Sequence, residues 1–494
     1  MININSQSVV NFVYPFTYST NCCKDLVNHV KHLAWEGRNA TYKVWDPYEI
    51  TKLPDIALLP SVSKFIDPES ESPYFNAGAW LLSDQALNSV KSGLGRDKVE
   101  WNYVSSQKSY RIKFEEIHLY LFTTGIGFLG VQISLPNTTS SDDWLDLIHS
   151  LRFSSGPRAQ GSYFSGCRRD TNEPFLPAFL DSIGVTNDLH FQPNDLITGL
   201  LRSTSYDNID DHKWWSDIYT KDYLIPYFSL DCEIINEEER DPFLYRLDSF
   251  LKSTSMVLLD ENSNVSLRKR MVYMWMDQCF VFNVEGGGFI SFNTPQDVFF
   301  QKVLPDHILK HYYLLFLTVL QQKFFISYLS EKIADVWIKG RNLRSNNEKY
   351  IEYLQIAFSD LQDLLLTFSS IGNFSQIMYS QHHHDVYLKW RDIQGIDQVY
   401  DEVRAEIEYV YNYVYVENEK IKQSFNKRIE ITIQGISTII AFPAFALTIL
   451  DLSRPELSLG IIWRTIISWG LVGGLVFFAI QYSSKYIRIK KTKN

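Results

Sequence analysis

Residues 396–450 read IDQVYDEVRAEIEYVYNYVYVENEKIKQSFNKRIEITIQGISTIIAFPAFALTIL, and the architecture turns on this stretch. Its only helix breakers are Gly435 and Pro443, and Val399, Val403, Ile407, Val410 and Val414 recur at helical spacing. The pattern predicts one stalk helix running unbroken for about 80 Å at 1.5 Å per residue. A helix ending near Asn418, with a linker after it, is the alternative. The last part, Ile431 to Leu450, carries no charge, and a helix of that length crosses a hydrocarbon core of about 30 Å. Pro443 should kink it near mid-membrane.

Downstream, Thr465 to Ser484 (TIISWGLVGGLVFFAIQYSS) is a second uncharged run of the same length, and a polar turn around 451–456 separates the two. The pair predicts a transmembrane hairpin; a buried hairpin in a soluble core is the competing reading. Lys420, Lys422, Lys427 and Arg428 precede the first span, and Lys485, Arg488, Lys490, Lys491 and Lys493 follow the second. Basic flanks mark the cytoplasmic side, so a multi-pass protein of the cell (inner) membrane is expected, with both termini cytoplasmic. Arg464 and Trp463 suit the outer interface. Met1 to Ser8 has no positive charge and no long apolar core follows it, so no signal peptide is expected.

Within the first span, Glu430, Gln434, Ser437, Ala441, Ala444, Thr448 and Asp451 share one face, and all are small or polar. A membrane helix hides such a stripe from lipid. The stripe either lines a wet pore shared by several subunits or packs against the second span, where Gly470, Gly473 and Gly474 allow close approach.

The large N-terminal part, the stalk entering the first of two C-terminal spans, the mid-span proline in IIAFPAF (439–445), the short outer turn and the basic tail together resemble the CorA superfamily of divalent-cation channels. The resemblance holds best from Ile396 to Asn494. It implies an α+β cytosolic domain (1–300), a helical bundle and stalk helix (301–428), a two-helix transmembrane hairpin (429–484) and a basic cytoplasmic tail (485–494). It also implies a homo-oligomer, pentameric in the family, conducting a divalent cation. The family's Gly-Met-Asn signature is absent. The last methionine is Met378, and the matching place reads TILDLSR (448–454). An outer acidic ring of Asp451 and Glu456 is expected to replace it, with Lys420, Lys427 and Arg428 as an inner collar. Signature-lacking members include CRISPR-associated membrane effectors gated by a nucleotide second messenger, and the large cytosolic part is similar to theirs.

Upstream, residues 111–136 predict a β-hairpin turning at Thr124-Gly-Ile-Gly127, followed by a helix over about 141–153 with Asp142 and Asp143 in its first turn. Residues 272–292 predict a second hairpin turning at Glu285-Gly-Gly-Gly288. Leu304–Ile338 and about Lys349–Ser369 read as helices, with the apolar band Tyr312–Leu329 interrupted by Gln321, Gln322 and Lys323. The polar loop 154–172 carries Arg158, Arg168 and Arg169, a phosphate clamp or a plain surface loop. Trp214 and Trp215 either stack a base or pack. His382, His383, His384 and Asp385 open a helix. Neighbours on a helix point about 100° apart, so a metal would need ligands from other subunits.

A net charge of −10 argues against a nucleic-acid polymer as partner. Five scattered cysteines without a CxxC pair fit reduced thiols in the cytosol. The chain lacks GxxxxGK[ST], HExxH and GxSxG, and no enzymatic activity is expected. Three functions remain: a channel gated by a small-molecule or nucleotide ligand, a constitutive divalent (magnesium-type) transporter with an altered filter, and a membrane-anchored enzyme or adaptor.

Overall fold

The computed structural model describes residues 2–20, 23–36, 41–48, 58–59, 62, 76–92, 99–105, 108–137, 139–153, 162–169, 171, 176–183, 185, 190–203, 215–217, 222–230, 237–257, 261–275, 278–292, 297–341, 347–371 and 373–452. The chain divides into two compact units, Met1–Asp335 with Asp360–Glu406, and Val336–Ser359 with Ile407–Asn494. The boundary expected at residue 300 falls inside the first unit, because the apolar band Tyr312–Leu329 is used against a sheet.

That sheet has thirteen strands among the described residues. They are β1 Val9–Tyr18, β2 Trp45–Pro47, β3 Asn76–Leu82, β4 Val99–Ser105, β5 Lys108–Phe122, β6 Ile126–Ser134, β7 Tyr163–Arg168, β8 His190–Phe191, β9 Trp215–Asp217, β10 Tyr223–Ser229, β11 Met271–Trp275, β12 Gln278–Asn283 and β13 Gly286–Ser291. The order is β8-β7-β4-β5-β6-β1-β10-β13-β12-β11, with β3 on β5, β2 on β3 and β9 on β1. Neighbours are antiparallel except β10 and β13.

The first expected hairpin is β5–β6, closed by Gly125 N–H donating to Phe122 O at 2.9 Å, with Gly125 at φ 80. Alternate residues of β5 serve opposite faces, as the strand period requires. Ile117, Leu119 and Leu121 join one core with Trp144 and Leu147 of helix α1 (Ser141–Leu151) and Leu244 of α2 (Glu237–Asp248). His118 and Tyr120 face the other way, their rings 5.7 and 6.2 Å from Tyr313. Burial on both faces explains why HLYLF reads as a continuous apolar run. Helix α1 begins where the sequence placed it, with Ser140 Oγ capping Asp143 N at 3.2 Å.

The second expected hairpin is β12–β13, with one correction. The glycines 286–288 lie in the strand β13 and not in the turn. A Cβ at Gly286 (φ 143) would stand 1.9 Å from Leu224 O, so the parallel neighbour β10 comes too close for any side chain. Both hairpins lie in the same sheet.

The helical part that follows the sheet opens with two π-helical turns, Phe299–Val303 and Ile308–Tyr312, around Leu304–His307. It continues as α3 Tyr313–Arg341, α4 Asn347–Ile371, α5 Gln381–Gln394 and α6 Ile396–Leu452. Gly395, at φ 65, separates α5 from α6. The expected stalk is therefore one helix of 57 residues.

In the second unit the end of α3, the first half of α4 and α6 from Ile407 pack together. The Trp337 ring lies 6.1 Å from Phe358 and 6.5 Å from Tyr413. Tyr350, Ile351, Leu354, Ile407, Val410 and Val414 are buried. Among the described residues, no helix is long and apolar enough to cross a membrane. The side chains of 442–452 and all of 453–494, hence the second half of the first expected span and all of the second, lie outside that description.

Candidate functional site

On α6 the faces can be followed residue by residue. Val403, Ile407, Val410 and Val414 are buried by the chain's own helices. At about 100° per residue, the stripe of Glu430, Gln434, Ser437 and Ala441 lies roughly 180° round the helix from them. All four stripe residues are exposed. Carried back at the same spacing, the stripe continues through Asn426 and Gln423 to Glu419, Asn412 and Glu408. Tyr409 and Val416 flank it on one side and Tyr415 on the other, 72, 50 and 60% exposed. The remaining faces near the C-terminal end carry Ile431, Ile433 and Ile439, which are also exposed.

Ala444, Thr448 and Asp451 lie on α6 beyond the described side chains, and Glu456 lies outside the described residues. Of the expected inner collar, Lys427 stands within about 60° of the stripe, whereas Arg428 points to the opposite side. Lys420 is held sideways by Glu417 at 2.6 Å.

The arginine candidates are partly brought together. Arg168 ends β7 opposite Val99, and Arg169 Nε lies 3.1 Å from Glu100 Oε1. Glu100 also pairs with Arg111, which sequence reasoning had not connected. Arg158 and Trp214 fall outside the described residues; Trp215 pairs with Tyr18 in β9–β1.

The histidine run opens α5. Ser380 Oγ sits against the exposed His382, and Asp385 accepts from Gln381 Nε2 at 2.7 Å. His383 is buried against Tyr312, ring centroids 4.5 Å apart, and lies 6.1 Å from His311. His307 and His311 were missed, although HILKH (307–311) displays the i, i+4 spacing that pairs two imidazoles on one helix face.

A buried polar network surrounds the start of α6. Arg391 donates to Phe374 O and Tyr387 Oη, both at 3.1 Å, and pairs with Asp397 across Gly395. Gln322 Nε2 donates to Tyr387 Oη at 3.0 Å. Lys323 Nζ lies 2.7 Å from Gln394 Oε1 and 3.2 Å from Tyr223 Oη. Burial pushes the Lys323 ammonium down to about 8, against the pull of Glu285. Trp390, fully buried, donates from Nε1 to Gly286 O at 3.3 Å and packs against Phe280, Phe282 and Phe316. The turn end of the β12–β13 hairpin, α3, α5 and the first turn of α6 are thus tied by these hydrogen bonds, Gln394 Nε2 also donating to Val284 O at 3.2 Å.

No family model matches the chain, and no curated protein matches it. A solved structure, that of the full-length CmaX protein, aligns with 56% of this chain and 92% of its own at 13% identity and a TM-score of 0.14. A likeness at that score carries no argument about fold or function.

Proposed function

We propose that the chain is one subunit of a homo-oligomeric, CorA-like membrane channel, in which several copies of α6 surround a wet axis and a ligand on the sheet-bearing unit sets the opening. The observation that carries this reading is the row of small and polar residues Glu430, Gln434, Ser437 and Ala441 along one side of an otherwise isoleucine-rich end of α6. Farther back, Val403 to Val414 on the opposite side are buried, whereas from Lys422 to Ile439 every face is exposed or half-exposed, the row and the isoleucines alike. A wet axis shared by several copies gives the polar row a partner that lipid does not supply.

Glu408, Glu419 and Glu430 recur every eleven residues, three helical turns, so several copies would stack rings of carboxylates along the axis. Such rings favour cations. An outer ring of Asp451 and Glu456 extends the same preference. The exposed isoleucines and the second span face lipid in this arrangement, and the tail stays cytoplasmic.

Ligand gating requires that the ligand bind the open state more tightly than the closed one. In this reading the hydrogen bonds from the β12–β13 turn to Asp397 are the route by which a change in the sheet reaches α6. In its finer form the ligand is a nucleotide second messenger of CRISPR antiviral defence, held near Arg168 and Arg169, with Arg158, Trp214 and Trp215 as further candidates. A phosphate there competes with Glu100 for Arg169.

Liposomes with the full-length protein carrying Gln434→Cys test the pore. A charged thiol reagent should block ion flux in the variant and leave the parent chain unaffected. Flux that persists once the introduced thiol is fully modified sinks the proposal. Arg168→Ala with Arg169→Ala should weaken nucleotide binding at least about tenfold; unaltered affinity relocates the ligand.

A further inference from the structure

Where the β5–β6 ladder ends, at Lys113 and Ser134, the start of β5, the segment 135–139 and the first turn of α1 form a cavity of about 260 Å³. Its wall is rich in polar groups, among them Lys108, Tyr110, Arg111, Thr139 and Asp143. Tyr110 is only 6% exposed, and its hydroxyl has no hydrogen-bond partner among the described residues. The buried hydroxyl of Thr139 has none either. A hydroxyl buried in that condition costs free energy, and phenylalanine or valine would fill the same space without the cost. Burial, then the nearby Asp146, raises the Tyr110 phenol above its ordinary value, so it keeps its proton and stays a donor.

The charged groups on this wall have donors to spare and few acceptors. Lys108 Nζ lies 3.0 Å from Asp146 and 3.3 Å from Asp143, which engages two of its three donors. Arg111 pairs with Glu100 through Nη2, and its Nε and Nη1 have no partner among the described residues. Asp143 already receives Lys108 and the Ser140 hydroxyl, the latter at 2.9 Å. Glu100 receives both Arg111 and Arg169. The surplus is thus N–H and O–H donors beside two cations, a set that calls for an anion rich in oxygen. We infer that the cavity binds the phosphate monoester of a small hydroxylated metabolite, with its phosphoryl oxygens on Arg111 and Lys108 and its body against Tyr110 and Thr139.

Size narrows the ligand further. The volume is about nine times the ~30 Å³ that one water takes up in the liquid, too large for a phosphate ion alone. It falls short of about 300 Å³, the lower end for drug-sized ligands. A sugar phosphate and a nucleoside monophosphate share the required chemistry, a phosphate dianion on a hydroxyl-bearing body. The site is separate from the Arg168–Arg169 clamp, although Glu100 joins the two through Arg111 and Arg169. A phosphate that draws Arg111 away leaves Glu100 to Arg169. Asp146 receives Ser253 N–H at 2.9 Å as well as Lys108, so a ligand that draws on Lys108 is also felt in the segment following α2. The inference concerns binding alone and stands whether or not the chain conducts.

The test is calorimetric titration of the full-length detergent-purified protein with inorganic phosphate, ribose 5-phosphate and adenosine 5′-monophosphate. Saturable binding of an ester, at least about tenfold tighter than inorganic phosphate, is expected. Equal affinity for the two esters marks a sugar phosphate, and tighter adenosine monophosphate marks a nucleotide. Arg111→Gln, at a half-exposed position that the fold does not rely on, should weaken the ester at least about tenfold. Tyr110→Phe and Thr139→Val should each weaken it about threefold or more, while the thermal midpoint of the empty protein holds or rises, because a partnerless hydroxyl has gone. Arg168→Ala with Arg169→Ala should leave ester binding saturable. No saturable ester binding, an ester no tighter than inorganic phosphate, or affinity indifferent to Arg111→Gln and Tyr110→Phe overturns the inference. Binding lost only with Arg168 and Arg169 overturns it too, and leaves the clamp standing.

Discussion

The sheet of the first unit and the long helix α6 treat apolar and polar side chains in opposite ways. In the sheet, β5 and its neighbours are covered on both faces, and groups such as Arg391, Gln322 and Tyr387 find each other in the interior. Along α6 beyond Arg428, isoleucines stand exposed and the small and polar residues Glu430, Gln434, Ser437 and Ala441 form a row on one side. A side chain buried by its own chain reports on stability. One that the chain leaves exposed in a long patterned row reports on what surrounds the molecule. Substitutions in the two regions should separate accordingly: folding is hit in the first, and transport with little change in folding in the second.

The largest loss is expected at Trp390. Trp390→Ala removes a fully buried indole from between Phe280, Phe282 and Phe316 and should cost about 3–5 kcal/mol, read as a fall in the thermal or denaturant midpoint. A loss below about 1 kcal/mol would mean that α5 does not lean on the sheet. Arg391→Leu comes next, at about 2–3 kcal/mol, because Phe374 O and Tyr387 lose a buried donor. The ion pair with Asp397 adds little, since that carboxylate is 69% exposed. The two residues are adjacent and share the joint, so the double variant should lose less than the sum.

Lys323 gives a pH signature. Its folded-state value of about 8 lies below the ordinary lysine value, so the unfolded chain binds the proton more tightly. The penalty on the folded state is full below pH 8 and disappears as pH rises towards 10.5. Unfolding free energy should therefore climb by about 3 kcal/mol across that window through this group. Lys323→Met should remove the climb. Burial raises tyrosines such as Tyr120 and Tyr313 well above their ordinary value, so their unfolded forms lose protons near the top of this window while the folded ones do not, and the difference between the two chains' curves is the measurement. Parallel curves would place the ammonium in water.

How much of this was readable beforehand depended on how local the cause was. The β5–β6 hairpin and α1 followed from adjacent residues: two apolar runs around Gly125, and Ser140 ahead of Asp142 and Asp143. The continuity of α6 followed from the lack of breakers. Gly286 to Gly288 were misread as a turn because their cause, the approach of Leu224 and Trp390, is remote in sequence. The apolar band of α3 suited a separate bundle as well as a sheet face, and periodicity does not distinguish the two. Arg169 looked free because Glu100 is distant in sequence. The histidine run was visible, but His307 and His311 join it only through the packing of α5, although their spacing was a signal in its own right.

The smallest stability effect and the sharpest test both belong to Gln434. The residue is exposed on the stripe, and Gln434→Leu should shift unfolding by no more than about 0.5 kcal/mol. Conductance should nevertheless fall, because a leucine ring at that level dries the axis and withdraws the dipoles that replace ion hydration. If the stripe instead packs against the second span of the same chain, the leucine removes a polar group from an apolar contact, so stability should hold or rise and flux should not change. Stability and conductance measured on one variant therefore decide between the two arrangements. Glu430→Gln repeats the test one turn earlier: it should shift ion preference away from divalent cations where the carboxylates ring an axis, and leave it unaltered where they face open solvent.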